Sequence, residues 1–510
     1  MDQNEPGFEG ARAPSRRFQD GHPILYATDV QRLARIDAKV TSLSVAGFKS
    51  IRDKTVLQLK PLTVLAGHNA SGKSSYMQAF LLLKQTLEQD TTYEALVLGG
   101  SHVSFEWFDQ LFWQGGRTHD KTFDVGFSAE CAHGKRECLQ RYAKVGGRIV
   151  CDEVSLGDKQ GTIAVSRKNP LPVSSLIKEY EKYHESGLKY RFSATALWPP
   201  ERDLIEREWS LAAMEEDDPD HKFPGTVGDS DVGFLEPMRQ SCFAELGLLL
   251  LKNSSPTFVG QPFTPLEDWL RDLIHVTGLR GSASRSYPLQ RVGKEYRGVF
   301  QDLYASILWE WTRRRNKASR ASRARLDHYL SLMGLPDHAV GRKVNDTNVE
   351  VCVSRCNGDP RESGLVNLRD TGLGVAQAMP WLVALVHANQ QPVYIEEPEM
   401  HLHPEAQHNA AKVLADAALR GNTVIVETHS DILLLGIQEL IAAKVLKPED
   451  VGLNWFERDL QGATHVSVAE VSPLGQLGNW PSDLREVQRR ARRSYVDFCI
   501  EQTSDEDTDN

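Results

Sequence analysis

Gly67-His68-Asn69-Ala70-Ser71-Gly72-Lys73-Ser74-Ser75 fits the phosphate-loop pattern G-x-x-x-x-G-K-[ST], and its flanks fit as well. Leu62-Thr63-Val64-Leu65-Ala66 precedes it, an uncharged apolar run with a β-branched centre that reads as a buried strand. Tyr76 to Leu83 follow it without Gly or Pro and read as helix. Strand, glycine loop and helix is the arrangement in which backbone N–H groups and a helix N-terminus cradle anionic phosphates. Lys73 then reaches the β- and γ-phosphates and the Ser74 hydroxyl binds Mg²⁺. The stretch is read as a nucleotide site.

Upstream of the loop, Val40 to Val45 alternates as a strand should, Gly47-Phe48-Lys49-Ser50 makes a turn and Thr55 to Leu59 returns. Beyond the first helix, Phe123 to Ser128, Arg148 to Cys151 and Thr162 to Ser166 read as strands of an antiparallel lobe. Ser175 to Leu335 reads as mostly helical or irregular, with an acidic loop at Glu215 to Asp220 and a helix over Tyr296–Trp311. Asn348 to Val353 alternates again. After Leu365 strands and helices alternate: helix Val375–Val386, strand Val393–Ile395, helix Glu405–Leu419 between Pro404 and Gly421, strand Thr423–Val426, helix Ile432–Leu446. That alternation predicts a largely parallel α/β sheet. The phosphate-loop strand and these later strands must share one sheet if they serve one site. The expected organisation is therefore an arm over 1–38, the first half of a nucleotide-binding head over 39–170, a mainly helical insertion over 171–340, the second half over 341–460, a C-terminal segment over 461–500 and an acidic disordered tail over 501–510.

At 40% hydrophobic and 25% charged residues, the chain has the composition of a soluble globular protein, and no apolar run reaches the ~20 residues that cross a bilayer. Its start has neither a basic n-region nor an apolar h-region, so no membrane or secretory role is expected. Seven scattered cysteines argue against a disulfide framework and for a reducing cytoplasm. Neither Cys131–Cys138 with His133 between them nor Cys352–Cys356 has convincing zinc spacing. The net charge of −10 disfavours broad nucleic-acid binding but leaves one local basic run, Arg313-Arg314-Arg315-Asn316-Lys317 continuing through Arg320, Arg323 and Arg325, as a DNA contact to test.

Three further stretches carry chemistry. Val393-Tyr394-Ile395-Glu396-Glu397-Pro398-Glu399 delivers carboxylates at the C-terminal end of a strand, where α/β sheets place ligands. Glu396 is expected in the Mg²⁺ coordination sphere, and Glu397 is expected to orient or deprotonate the attacking water. Thr428-His429-Ser430 follows the next strand and brings His429 towards the γ-phosphate. Asp370-Thr371-Gly372-Leu373-Gly374-Val375-Ala376-Gln377 is a glycine turn opening a helix, whose N-terminus suits a phosphate.

Together these segments resemble the ABC/SMC-like ATPases of the RecF and OLD group, and more narrowly a bacterial type of stand-alone ATPase. The resemblance rests on Gly47 to Ser50, the phosphate loop with Leu81 to Gln85, Thr277-Gly278-Leu279-Arg280, Gly372 to Gln377, Glu396 to Pro404, Glu427 to Ser430 and Gly478 to Pro481. It implies an ABC-type α/β head with an antiparallel β lobe and a large insertion, ATP and Mg²⁺ as cofactors, and a second copy of the chain closing over the nucleotide. It also implies that Glu397 is the catalytic carboxylate, that His429 is the switch histidine, that Met400 to Pro404 form the D-loop, and that Gly372, Gly374 and Gln377 bind the partner head's nucleotide. Relatives of the OLD type carry a Toprim nuclease after the ATPase, for which the stretch after His429 is too short. Ala376 stands where such signatures usually have Ser, and Glu396 where most ABC ATPases have Asp. Slow turnover is expected from both. Gln110 and Gln114 are both candidates for the metal-contacting glutamine. The function implied is a homodimeric, or higher, nucleotide switch controlling a separate nuclease or toxin in anti-phage defence. The alternatives are a RecF-like DNA-repair ATPase and a nucleotide-sensing scaffold with little hydrolysis.

Overall fold

A computed structural model describes residues 39–89, 95–115, 121–131, 134–157, 162–166, 264–278, 280–291, 293, 297–355 and 364–479, with the backbone of a few short strands elsewhere and residue 493. In chain order the main elements are β1 (Lys39–Ala46), β2 (Thr55–Gln58), β3 (Leu62–Gly67), α1 (Lys73–Leu87), β4 (Thr122–Cys131), β5 (Gly134–Val145), β6 (Arg148–Gly157) and β7 (Thr162–Ser166). There follow α2 (Thr264–Asp272), β8 (Ile274–Val276), β9 (Tyr287–Pro288), α3 (Tyr304–Arg313), α4 (Lys317–Leu332), β10 (Ala339–Lys343), β11 (Asn348–Ser354) and β12 (Leu365–Asn367). The last group is α5 (Leu373–His387), β13 (Pro392–Glu396), α6 (Pro404–Leu419), β14 (Thr423–Thr428), α7 (Asp431–Ala442), β15 (Val451–Arg458) and β16 (Thr464–Val468). The expected arm over 1–38, the acidic loop at 215–220 and the tail over 501–510 lie outside the residues whose side chains are described.

The central sheet has the order β8-β13-β14-β3-β15-β16, parallel except for the last pairing. Its two faces follow from the period of two in β3. Leu62, Val64 and Ala66 join Val393, Ile395, Val424, Val426, Leu453 and Trp455 in one core, packed with residues of α5, α6 and α7. Leu65 turns the other way, joining Tyr394, Ile425 and Phe456 in a second core with α1 and the antiparallel lobe. Helix α1 is therefore buried on nearly every side, as a helix sandwiched between two sheets must be. The Tyr76 hydroxyl ties it to the lobe, donating to the Leu43 carbonyl at 2.7 Å and accepting from the Leu57 N–H at 3.2 Å.

The lobe is a six-stranded antiparallel sheet of order β2-β1-β4-β5-β6-β7. A third, antiparallel sheet joins β9, β11 and β10, with β12 on the far edge of β11. One expectation changes. Residues 264–340 were expected inside a helical insertion, yet Ile274–Val276 pairs in parallel with Val393–Ile395 as the edge strand of the nucleotide sheet. The physical reason is that a three-residue buried parallel strand carries no alternation to read. The predicted helix from Tyr296 is also shorter, a 3₁₀ turn at Phe300–Asp302 and then α3.

Candidate nucleotide site

The phosphate loop leaves β3 and turns on two glycines that tolerate no side chain. A Cβ on Gly67 (φ +150°) would lie 2.2 Å from the Phe456 carbonyl oxygen, and one on Gly72 (φ +105°) 2.2 Å from Thr464 Oγ1. Thr464 braces the loop from behind, bonding to the Ser71 carbonyl at 2.9 Å and the Ser50 hydroxyl at 2.8 Å. Ser50 belongs to the Gly47–Ser50 turn, so the lobe and the last strand both hold the loop. His68, Asn69 and Ala70 form its exposed tip, with Ser75 partly covered on the first turn of α1. Lys73 is buried, and its ammonium donates to the carbonyls of Gly67 (3.0 Å) and His68 (2.9 Å). Burial lowers its pKa, while the carboxylates of Glu427, Glu397 and Glu399 act to keep it charged. Ser71 Oγ is buried with no hydrogen-bond partner among the described residues, an orphan that a phosphate oxygen would satisfy.

Three carboxylates meet the loop from β13 and β14. Glu397 sits at φ +46°, a left-handed conformation that is unusual for a non-glycine residue and is held by its surroundings. Its N–H donates to the Glu427 carbonyl (2.8 Å), and its own carbonyl accepts from Arg280 Nη2 (2.7 Å). The same Arg280 nitrogen donates to the Glu396 carbonyl at 2.8 Å. The Glu397 carboxylate lies 3.8 Å from His429 Nε2, and both side chains are about one-third exposed. Burial and the Lys73 charge lower the His429 pKa, which favours the neutral ring. Glu399 fixes the histidine's backbone, its Oε1 accepting from His429 N–H and from Thr428 Oγ1, both at 2.7 Å.

Glu427, quoted in the sequence only as the residue before Thr428-His429, is buried and accepts the Ser74 hydroxyl at 2.7 Å and the Tyr394 hydroxyl at 2.8 Å. Burial pushes its carboxyl up to about 7 against those two hydrogen bonds. Glu396, expected in the metal sphere, lies within reach of Tyr394 and Glu427 and also has partners at the end of β8. His275 Nε2 lies 3.2 Å from its Oε1 and the Gly278 N–H donates to its Oε2 at 2.8 Å. A buried chain continues from there, with His275 Nδ1 2.9 Å from His102 Nδ1 and His102 Nε2 3.0 Å from Glu88. Burial opposes ionisation of Glu88, but the His102 hydrogen bond and the Lys84 charge outweigh it and hold the pKa at about 2.

The glycine turn before α5 is arranged differently from the expectation for Gln377. Gly372 and Leu373 are exposed at the helix start. Gly374 packs so closely on the D-loop that a Cβ would lie 2.7 Å from the His401 carbonyl oxygen. Gln377, expected to bind nucleotide, is buried and its Nε2 donates to the Gly281 carbonyl. The helix turns position 377 inward because it lies one turn past the exposed end, on the face that packs against the Arg280 segment. Gln110 Oε1 accepts from the N–H groups of Glu106 and Trp107, and Gln114 Nε2 donates to the Asp109 carbonyl, so the described contacts of both are local to their own turn. Among the described residues there is no cluster of three or more His, Cys, Asp or Glu that would hold a metal by itself. No helix among them is long and apolar enough to cross a membrane.

A profile of the AAA ATPase domain family matches residues 39–130 and 339–434, the two segments that carry the loop and the Glu396-to-His429 region. No curated protein matches the chain. Among solved structures, an SMC head bound to the C-terminal winged-helix domain of ScpA is similar at 12% identity and TM-score 0.44, covering 85% of this chain and 98% of that one. The SMC head domain from Thermotoga maritima is similar at 10% identity and TM-score 0.35, covering 85% and 100%. An SMC head with an extended coiled coil, bound to a ScpA domain derived from Pyrococcus furiosus, is similar at 10% identity and TM-score 0.42, covering 84% and 96%. The two segments that match the AAA ATPase domain profile meet in space, since their strands β3, β13 and β14 are neighbours in the sheet from which the loop leaves.

Proposed function

We propose that the chain binds and hydrolyses ATP and works as a nucleotide-driven dimeric switch on a separate effector. One observation carries the reading. Lys73, Glu397 and His429 come from the ends of three neighbouring regions, β3, β13 and β14, and converge on one phosphate loop although their segments lie far apart in the chain. Lys73 would leave the Gly67 and His68 carbonyls for the β- and γ-phosphates. Glu397 would take the proton of the attacking water, and neutral His429 beside it would donate to the γ-phosphate and report its presence. The residues fit Mg²⁺: the Ser74 hydroxyl and the carboxylates ending β13 and β14 are hard oxygen donors that would hold it. When bound, the ion supplies charge neutralisation across the β- and γ-phosphates.

The exposed start of α5 at Gly372 and Leu373 supports closure by a second copy, since a helix N-terminus offers N–H groups to a phosphate from outside. The effector reading, a nuclease or toxin partner in bacterial anti-phage defence, follows from the resemblance of the motifs. It is tested with Glu397→Gln, which should trap ATP: light scattering should show nucleotide-dependent self-association or partner binding, and no change with ATP overturns the switch.

A second reading has its own observation. Arg313, Arg314, Arg315, Lys317, Arg320 and Arg325 are all exposed around the α3–α4 turn, with Glu310 pairing Arg313 and Arg314. Such a ridge suits a DNA backbone, which predicts ATP-dependent duplex binding with a steep salt slope. A flat salt response removes it.

A further inference from the structure

We infer that His275, on the edge strand β8, is a positioning residue for both carboxylates of the cation site, setting Glu396 through its Nε2 and Glu427 through the ring of Tyr394. The inference rests on the ATP-site reading above and adds a residue on which its cation binding depends.

The sheet gathers these groups on one face. β8 pairs in parallel with β13, with His275 opposite Tyr394, and β13 pairs with β14, with Glu396 opposite Glu427. The period of two along a strand turns Tyr394 and Glu396 to the same side, the side on which α1 packs. Two carboxylates so placed repel each other unless a cation lies between them. Their neighbours must therefore hold them in place before the cation arrives. The His275 ring reaches both. Its Nε2 lies 3.2 Å from Glu396 Oε1, while the Gly278 N–H donates to the other oxygen at 2.8 Å. Its face stacks on Tyr394, with ring centroids 5.3 Å apart and planes within 12°. The Tyr394 hydroxyl donates to Glu427 Oε2 at 2.8 Å, and Glu427 Oε1 accepts from the Ser74 hydroxyl at 2.7 Å. Tyr394 also interacts with Glu396, so the imidazole, the phenol and both carboxylates form one connected set that ends on the first turn of α1.

The ring is anchored from behind. His275 is buried, and its Nδ1 lies 2.9 Å from Nδ1 of the buried His102, whose Nε2 lies 3.0 Å from Glu88 Oε1. Glu88, just past the C-terminal end of α1, is held in turn by Lys84 at 3.0 Å and by the Gly298 N–H at 2.9 Å. With both nitrogens and one face engaged, the imidazole cannot rotate without stranding buried polar groups. Such an outer partner fixes a ligand's orientation without touching the ion.

The test uses full-length protein and two probes: Mn²⁺ in the presence of ATP, followed by electron paramagnetic resonance, and a fluorescent ATP analogue titrated in EDTA. His275→Phe keeps a ring against Tyr394 and removes both nitrogen contacts, whereas His275→Gln keeps an N–H for Glu396 and removes the ring. His275→Phe should weaken Mn²⁺ binding roughly ten- to a hundredfold and leave analogue binding in EDTA unchanged. His275→Gln should fall between His275→Phe and wild type. A residue that serves stability alone would lower the thermal midpoint and leave the Mn²⁺ affinity of the folded protein as in wild type, and that result overturns the inference. An equal loss of analogue binding in EDTA overturns it too. If His275→Phe lacks a cooperative thermal transition, His275→Gln decides: weaker Mn²⁺ binding with unchanged analogue binding supports the inference, and wild-type Mn²⁺ binding overturns it. A wild-type protein that binds no nucleotide overturns the ATP-site reading and this inference with it, whereas unchanged Mn²⁺ binding in the variants overturns this inference alone.

Discussion

Acid should destabilise this head through its buried histidines, His387, whose burial also lowers its pKa to about 4, and His102, whose contribution can be worked out from its partners. His102 has no exposed side-chain surface and bridges Glu88 to His275. Burial lowers its pKa from the ordinary 6.5 to about 4, with Glu88 opposing and His275 reinforcing the shift. The folded state thus binds fewer protons than the unfolded state between those two values, and the neutral ring's contribution is complete above pH 6.5 and lost as pH falls towards 4. A shift from 6.5 to about 4 at 1.36 kcal/mol per unit makes the loss about 3 kcal/mol. Glu88, depressed from 4.5 to about 2, adds a further loss only as pH falls below 4.5. Other groups titrate too, so the comparison is with His102→Asn, which can still donate to Glu88 but cannot titrate. Urea unfolding at pH 7, 6, 5 and 4 should show wild type the more stable at pH 7 and the gap closing by about 3 kcal/mol at pH 4. A gap that stays constant with pH, or widens on acidification, refutes the reasoning.

Two further outcomes are expected. Arg280→Lys keeps the charge but loses the planar guanidinium whose Nη2 donates to the carbonyls of both Glu396 and Glu397, so kcat should fall on the order of ten- to a hundredfold with KM and thermal midpoint little changed; steady-state phosphate release checks this, and a rise in KM alone speaks against it. Gly374→Ala places a methyl 2.7 Å from the His401 carbonyl and should cost about 1–3 kcal/mol while disturbing the D-loop, read as a lower thermal midpoint and weaker ATP-dependent self-association.

How much of this was legible follows from what each signal depends on. The strand Leu62 to Ala66, the loop and the helix after it are local features, and β3 and α1 lie where their residues predict. The same holds for α5, α6 and β14, whose apolar runs and flanking Pro404 and Gly421 mark their limits to within a residue or two. The DNA-facing and effector readings drew on charge and resemblance, which name partners without positioning them. The contact of Glu427 with Ser74 was hidden because it depends on β14 lying beside β3, a fact of sheet order rather than of neighbouring residues. The His102–His275 contact joins residues 173 positions apart, and no periodicity announces such a pair. The inward packing of Gln377 was not legible because the glycine turn gives the helix start but not which face of α5 packs inward.

The most direct measurement of the central claim is single-turnover phosphate release from ATP by wild type, Lys73→Ala and Glu397→Gln, with nucleotide binding measured on the same samples. Wild type should hydrolyse, Lys73→Ala should lose binding, and Glu397→Gln should bind ATP normally while release slows by a factor on the order of a hundred or more. Glu397→Gln that binds ATP and releases phosphate at the wild-type rate would contradict it.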